Sequence, residues 1–81
     1  MTRVLLFGPL RDVAGWRDRR LEPSPARLSE LRLRLAREDA ALAAALDGPG
    51  VQVALNQALV RGDADLTPEC EVAFLPPMSG G

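Results

Sequence analysis

The chain closes on Gly80-Gly81, directly after Pro76-Pro77-Met78-Ser79, and its most suggestive chemistry lies in this tail. With glycine at about 7% of residues on average, chance gives two closing glycines in roughly one chain in 200. Glycine has no β-carbon, so a pair of them can pass through a narrow slot and take backbone angles other residues avoid. The group to expect as reactive is therefore the terminal carboxylate of Gly81, with Gly80 behind it. A carboxylate is a poor acyl donor until it is activated. An ATP-dependent partner can adenylate it, and sulfur can then replace AMP to give a thiocarboxylate. That chemistry asks for reach and slenderness instead of a constellation of side chains. Pro76-Pro77 fixes two φ angles, denies the sheet two donors and starts a stiff stalk. Met78 adds an adaptable apolar grip, and Ser79-Gly80-Gly81 narrows to bare backbone. The residues after Leu75 span at most about 20 Å when extended. The competing explanation is a frayed terminus, and a Pro-Pro stalk straight after a final strand weighs against it.

The rest of the composition removes other chemistries. There is no histidine and one cysteine, so imidazole acid–base catalysis, an internal disulfide and the usual zinc spacings are all excluded. No metal or bound cofactor is expected. Eighty-one residues make one domain, with 47% apolar residues suited to an ordinary globule. No apolar run approaches the roughly 18 to 20 residues of a membrane span, and no signal-peptide pattern opens the chain. The expectation is a cytoplasmic protein with no membrane partner. All ten basic residues are arginines; nine precede Ala40 against six acids there, a balance of +3. From Ala40 onward one arginine faces five acids, a balance of −4, which with the first half gives the net charge of −1. No basic stripe interleaved with aromatics appears, so nucleic acid is not an expected partner. An acidic half that ends in the tail suits partners with basic docking surfaces.

The elements that must present this tail can be read from periodicity. Thr2 to Phe7 has strand length and carries the unbroken apolar stretch Val4-Leu5-Leu6-Phe7, and it reads as a central strand buried on both faces. Gly8-Pro9 breaks it, Leu10 to Ala14 makes one helical turn, and Gly15 stops that turn. Trp16 to Leu21 is an arginine-rich strand of the kind found at sheet edges, and Trp16 should cover a hydrophobic edge. Ser24-Pro25 predicts a helix start, with the serine as N-cap and proline at the first helical position. Leu28, Leu31 and Leu35 then share one face, continued by Leu42 and Leu46 on a second stretch from Ala40. Arg27, Glu30, Arg34 and Glu38 line a solvated face, with Glu30 and Arg34 paired at i,i+4. Asp47-Gly48-Pro49-Gly50 ends the helix. Val51 to Leu55 alternates as a strand, Asn56-Gln57 turns, and Ala58-Leu59-Val60 returns. Arg61 to Asp65 is loop, and its Arg-Gly-Asp triplet is read as loop chemistry instead of an adhesion motif. Glu71 to Leu75 is the last strand.

The first and last strands are both strongly apolar, which places them side by side in the middle of the sheet, running parallel. The order strand, strand, helix, strand, short strand, strand is then the β-grasp, or ubiquitin-like, layout: an α+β mixed sheet with the helix packed on one face. The β-grasp domain covers residues 1–75, and residues 76–81 form a C-terminal tail.

Three segments give the chain a specific likeness. They are Val4-Leu5-Leu6-Phe7 with Arg11-Asp12-Val13-Ala14-Gly15, then Val53-Ala54-Leu55-Asn56-Gln57, and then Glu71 to Gly81 with its aromatic-X-Pro-Pro-X-X-Gly-Gly ending. With these the chain resembles the ubiquitin-like sulfur carriers of the MoaD/ThiS family, and among them the small subunits of molybdopterin synthases. The resemblance implies that an E1-like adenylyltransferase spends ATP on the Gly81 carboxylate and a sulfurtransferase supplies sulfur. The tail would then enter the large synthase subunit, in a heterotetramer, and give sulfur to cyclic pyranopterin monophosphate. On this view the chain is no enzyme by itself, and the catalytic side chains belong to the large subunit. Carriers for thiamine, cysteine or tRNA thiolation, and a ubiquitin-like binding module without sulfur chemistry, stay open as alternatives.

The sequence departs from the family pattern at two places. The turn before the last strand reads Glu69-Cys70-Glu71 where Gly-Asp-Glu is usual, which puts Cys70 in a turn that could expose it. Leu75 stands where an aromatic is frequent. Docking candidates near the tail root are Phe7, Leu59 and Leu75 on the helix-free face, together with Arg11.

Overall fold

The computed structural model describes residues 1–77. Its elements are β1 (Thr2–Leu6), α1 (Pro9–Ala14), β2 (Asp18–Leu21), α2 (Leu28–Glu38), α3 (Ala40–Leu46), β3 (Gln52–Leu55), β4 (Ala58–Val60) and β5 (Glu71–Leu75). The sheet order is β2-β1-β5-β3-β4. β1 and β5 are parallel neighbours at the centre, and every other pairing is antiparallel. The sheet is mixed and the helices pack on one face of it, as the strand pattern predicted.

Period-two alternation decides which side chains enter the core. Val4 and Leu6 of β1, Val72 and Phe74 of β5 and Val53 of β3 face the helices, where Leu28, Leu31, Leu35, Leu42 and Leu46 meet them. All ten are nearly inaccessible. Trp16 packs against the rim of this cluster, with the Arg19 guanidinium 5.5 Å from its ring centroid.

β1 is central but is not buried on both faces. Arg3 is exposed and Leu5 only half-buried, because the helices cover a single face. A run of apolar residues signals burial without saying what covers the second side.

The helix start also differs. α2 begins at Leu28 with Arg27 as its N-cap and no side-chain cap of its own, and the Ser24 hydroxyl donates instead to the Pro68 carbonyl. Asp63 supplies the missing cap from the Arg61–Asp65 loop: the Ser29 N–H donates to its Oδ1 at 2.8 Å and the Ser29 hydroxyl to its Oδ2 at 2.9 Å. These bonds hold the Asp63 carboxyl below the usual carboxylate range, since they favour the ionised form. The aspartate of the Arg-Gly-Asp triplet is thus engaged within the fold. Asp39 caps α3 in the ordinary local way, accepting from the Leu42 N–H at 3.1 Å.

The outer face of α2 is tied down more than a solvated face would be. Arg34 donates to the Glu22 and Pro23 carbonyls, Glu38 pairs with Arg19 at 2.6 Å, and Glu30 accepts from the Ala26 N–H. The expected Glu30–Arg34 pair is not among the ion pairs of the described residues.

The two oppositely charged halves meet each other. Asp47 pairs with Arg32, Asp63 with Arg27 and Glu71 with Arg3. Much of the acidic charge expected to face a basic partner is therefore answered inside the chain. Cys70, expected in an open turn, is 2% exposed, with its Sγ 3.9 Å from the buried Thr2 hydroxyl.

Candidate functional site

The site is the end of the sheet from which the tail leaves. β5 is the middle strand, and Leu75 passes directly into half-buried Pro76 and exposed Pro77. Because β1 runs parallel to β5, its C-terminal neighbours Phe7 and Gly8 lie at this same end. Because β3 runs antiparallel, so does the loop that enters it, with Gly50 and Val51. The stalk is thus rooted between two loops, one beyond each strand that flanks β5. Met78, Ser79, Gly80 and Gly81 lie outside the described residues, so the reactive carboxylate and the grip residues of the tail remain expectations from sequence.

The docking candidates fall where alternation requires. Register couples Leu59 to Ala54, Ala54 to Ala73 and Ala73 to Leu5, a row across the helix-free face. Phe7 continues the Arg3–Leu5 side one residue past β1, beside half-buried Leu75. Phe7 is 45% exposed and Leu59 62% exposed, so neither belongs to the core. Large apolar side chains gathered on one uncovered face beside the tail root are the usual mark of an interaction surface. The small Ala54 and Ala73, paired directly across β3 and β5, keep the middle of this surface shallow, with Leu5 and Leu59 on either side of them.

Polar groups frame the patch. Arg3 holds Asp18 bidentately, at 3.0 and 2.7 Å, and this hydrogen bonding keeps the Asp18 carboxyl below its usual range. Arg11 is exposed on α1 and shares a groove with Leu5, Phe7 and Arg17. The ion pairs among the described residues engage Arg3, Arg19, Arg27 and Arg32 but not Arg11. At the far end of the face, Asn56 and Gln57 take φ of 49° and 70°, the left-handed pair a two-residue hairpin turn needs. The Asn56 side chain accepts from the Glu71 N–H at 2.9 Å and so stitches the hairpin to the start of β5.

Residues 4–81 match the ThiS family. The chain belongs to that family. Two curated relatives of this ThiS-family chain are both named molybdopterin synthase sulfur carrier subunit. The one from Escherichia coli K12 is 35% identical and the one from Haemophilus influenzae 33%, each over the full length of both chains. Among solved structures it is similar to SAMP1 from Haloferax volcanii, with a TM-score of 0.83, 25% identity and coverage of 99% and 98% of the two chains. It is equally similar to small archaeal modifier protein 1 from Methanosarcina acetivorans, with a TM-score of 0.84, 25% identity and coverage of 99% and 95%. The sulfur-carrier resemblance and the ubiquitin-like fold read from the sequence are thereby established.

Sequence reasoning missed three residues that shape this ThiS-family domain. Asp63 was hidden because its partner lies 34 positions away. Gly8 and Gly50 read only as breakers, and their place at the tail root emerges only from the strand pairing.

Proposed function

We propose that this chain is the sulfur carrier of a molybdopterin synthase, with the Gly81 carboxylate as its reactive group. The observation that carries this reading is the seat of the stalk: the central strand of the sheet runs straight into Pro76-Pro77 beside an uncovered apolar patch. Full-length relatives named as that subunit support it. A Gly81 carboxylate oxygen attacks the α-phosphorus of ATP on an E1-like adenylyltransferase, pyrophosphate leaves, and an acyl-adenylate forms. A sulfurtransferase persulfide attacks the acyl-adenylate and displaces AMP, and a thiol reductant then cleaves the resulting acyl disulfide to leave the thiocarboxylate. On the large synthase subunit, in a heterotetramer, the thiocarboxylate sulfur bonds to cyclic pyranopterin monophosphate, and water then cleaves the carbonyl–sulfur bond and returns the tail to a carboxylate. The chain brings the sulfur on a thin arm, and the large subunit brings the acid–base groups.

The test is mass spectrometry after incubation with the cognate E1-like enzyme, ATP and a sulfur donor. The expected result is the gain for one oxygen replaced by sulfur, located at Gly81, and an unchanged mass under competent conditions sinks the proposal. A second reading, protein modification, is favoured by the likeness to proteins named archaeal modifiers. Covalent conjugates to other proteins, with no sulfur gain, would select it. Carriers for thiamine, cysteine or tRNA thiolation would take up sulfur but form no dithiolene with the large subunit and pyranopterin precursor.

Docking is proposed to use Phe7, Leu59 and Leu75, with Arg11 at the margin. Truncating a central apolar contact commonly costs an interface about 1–3 kcal/mol, or roughly 5- to 150-fold in affinity. Phe7→Ala or Leu59→Ala should therefore weaken large-subunit binding by about tenfold or more in calorimetric titration, with an unchanged far-UV spectrum. Wild-type affinity in both variants would move the docking surface elsewhere.

A further inference from the structure

Gly8 and Gly50 both have positive φ, +55° and +80°. A Cβ built on Gly50 would lie 2.7 Å from Cβ of Pro77 and 3.5 Å from its Cα, and one built on Gly8 would lie 3.1 Å from Cγ of Pro76. Gly15 and Gly62 also have positive φ, +82° and +72°, yet a Cβ at either would meet nothing within 4 Å. Backbone conformation alone therefore does not distinguish the first two. What sets them apart is that each lacks a side chain where one proline of the stalk rests.

We infer that Gly8 and Gly50 are positioning residues that form a cradle for Pro76-Pro77 and set the direction in which the tail leaves the sheet. The inference rests on the carrier reading and extends it to residues outside the tail. The β1–α1 loop brings Gly8 to one side of the stalk and the α3–β3 loop brings Gly50 to the other. Two rigid prolines held between two bare backbones cannot swing as a flexible linker would. A partner that docks on Phe7 and Leu59 then meets a tail already aimed. Aim matters because a misplacement of about 1 Å at a reacting atom can cost on the order of 100-fold in rate.

The experiment compares Gly50→Ala with Gly62→Ala, which imposes the same kind of φ penalty in open space. Thiocarboxylated protein is presented to the large subunit, and cross-relaxation between Gly50 Hα and Pro77 Hβ is read by NMR in the free chain. Gly50→Ala is expected to lose that cross-peak and lower kcat for sulfur transfer at least tenfold with KM within threefold, while Gly62→Ala keeps wild-type kcat. Gly50→Asn, which tolerates positive φ better than alanine, should lower kcat as Gly50→Ala does, and serves if the alanine variant fails to fold. In a Pro77→Gly background, where the opposing Cβ is gone, the Gly50→Ala step should cost less than twofold. Equal losses in Gly50→Ala and Gly62→Ala, or the same Gly50→Ala cost in both backgrounds, overturn the cradle. A wild-type chain that accepts no sulfur overturns instead the reading beneath it, with the NMR contact still in place.

Discussion

Deleting Gly81 alone is expected to abolish sulfur transfer, by more than about 1,000-fold, without altering the melting temperature. The truncated chain still ends in a glycine carboxylate with the same intrinsic chemistry, but that carboxylate is drawn back by about 3.5 Å. Activation of a carboxylate by ATP needs in-line approach at near contact distance, and well-oriented reactants can owe a factor of 10⁵ or more to placement. Among the described residues, every buried apolar side chain of the cluster lies between Val4 and Phe74, before the tail begins. The measurement is single-turnover transfer with the E1-like enzyme and the large subunit, alongside a thermal melt. A binding module would keep its partner affinity and lose nothing else. Retained turnover would remove Gly81 from the chemistry and with it the main claim.

Legibility in the sequence followed the range of the interaction. Leu28, Leu31 and Leu35 declare their shared face within one helix, and all three are buried where that spacing put them. Asn56-Gln57 declares its turn through adjacent residues, and both have the positive φ a hairpin turn requires. The start of α2 misled because Ser24-Pro25 carries a complete local signature, while the real cap comes from Asp63 after the chain has crossed the domain. β1 misled for a related reason: its apolar run reads as burial on both faces, and among the described residues only one face is covered. Half-buried Leu5 and exposed Phe7 are the residues left on the uncovered side, and they belong to the surface proposed for docking. The same limit hid the stalk's cradle. Gly50 and Pro77 are 27 positions apart, and no local pattern reports that one must lack a side chain for the other to fit.

The chain's only two phenylalanines should respond in opposite ways to the same deletion. Phe74 is fully buried on β5, registered with Leu6 on one side and Val53 on the other, and the Arg32 guanidinium lies 5.3 Å from its ring centroid. Phe74→Ala removes the ring from a packed interior that can collapse only in part, a change that typically costs about 3–5 kcal/mol. A domain of this length holds only about 4–12 kcal/mol in all. For small domains each kilocalorie is worth about 4–8 °C, so the melting temperature should fall by about 15–30 °C. Phe7→Ala, on the uncovered face, should stay within about 1 kcal/mol of wild type and show its effect only when the partner is added. Thermal melts followed at the helical circular dichroism band separate the two. Because Phe74 lies one residue before Leu75 and two before the stalk, losing it also loosens the strand that aims the tail. Transfer should therefore fail in Phe74→Ala even at temperatures where part of the population is folded, whereas Phe7→Ala should recover when the large subunit is raised to saturation. If Phe74→Ala melts within about 1 kcal/mol of wild type, the ring is not the keystone of this core, and the rigidity claimed for the tail root would need another source.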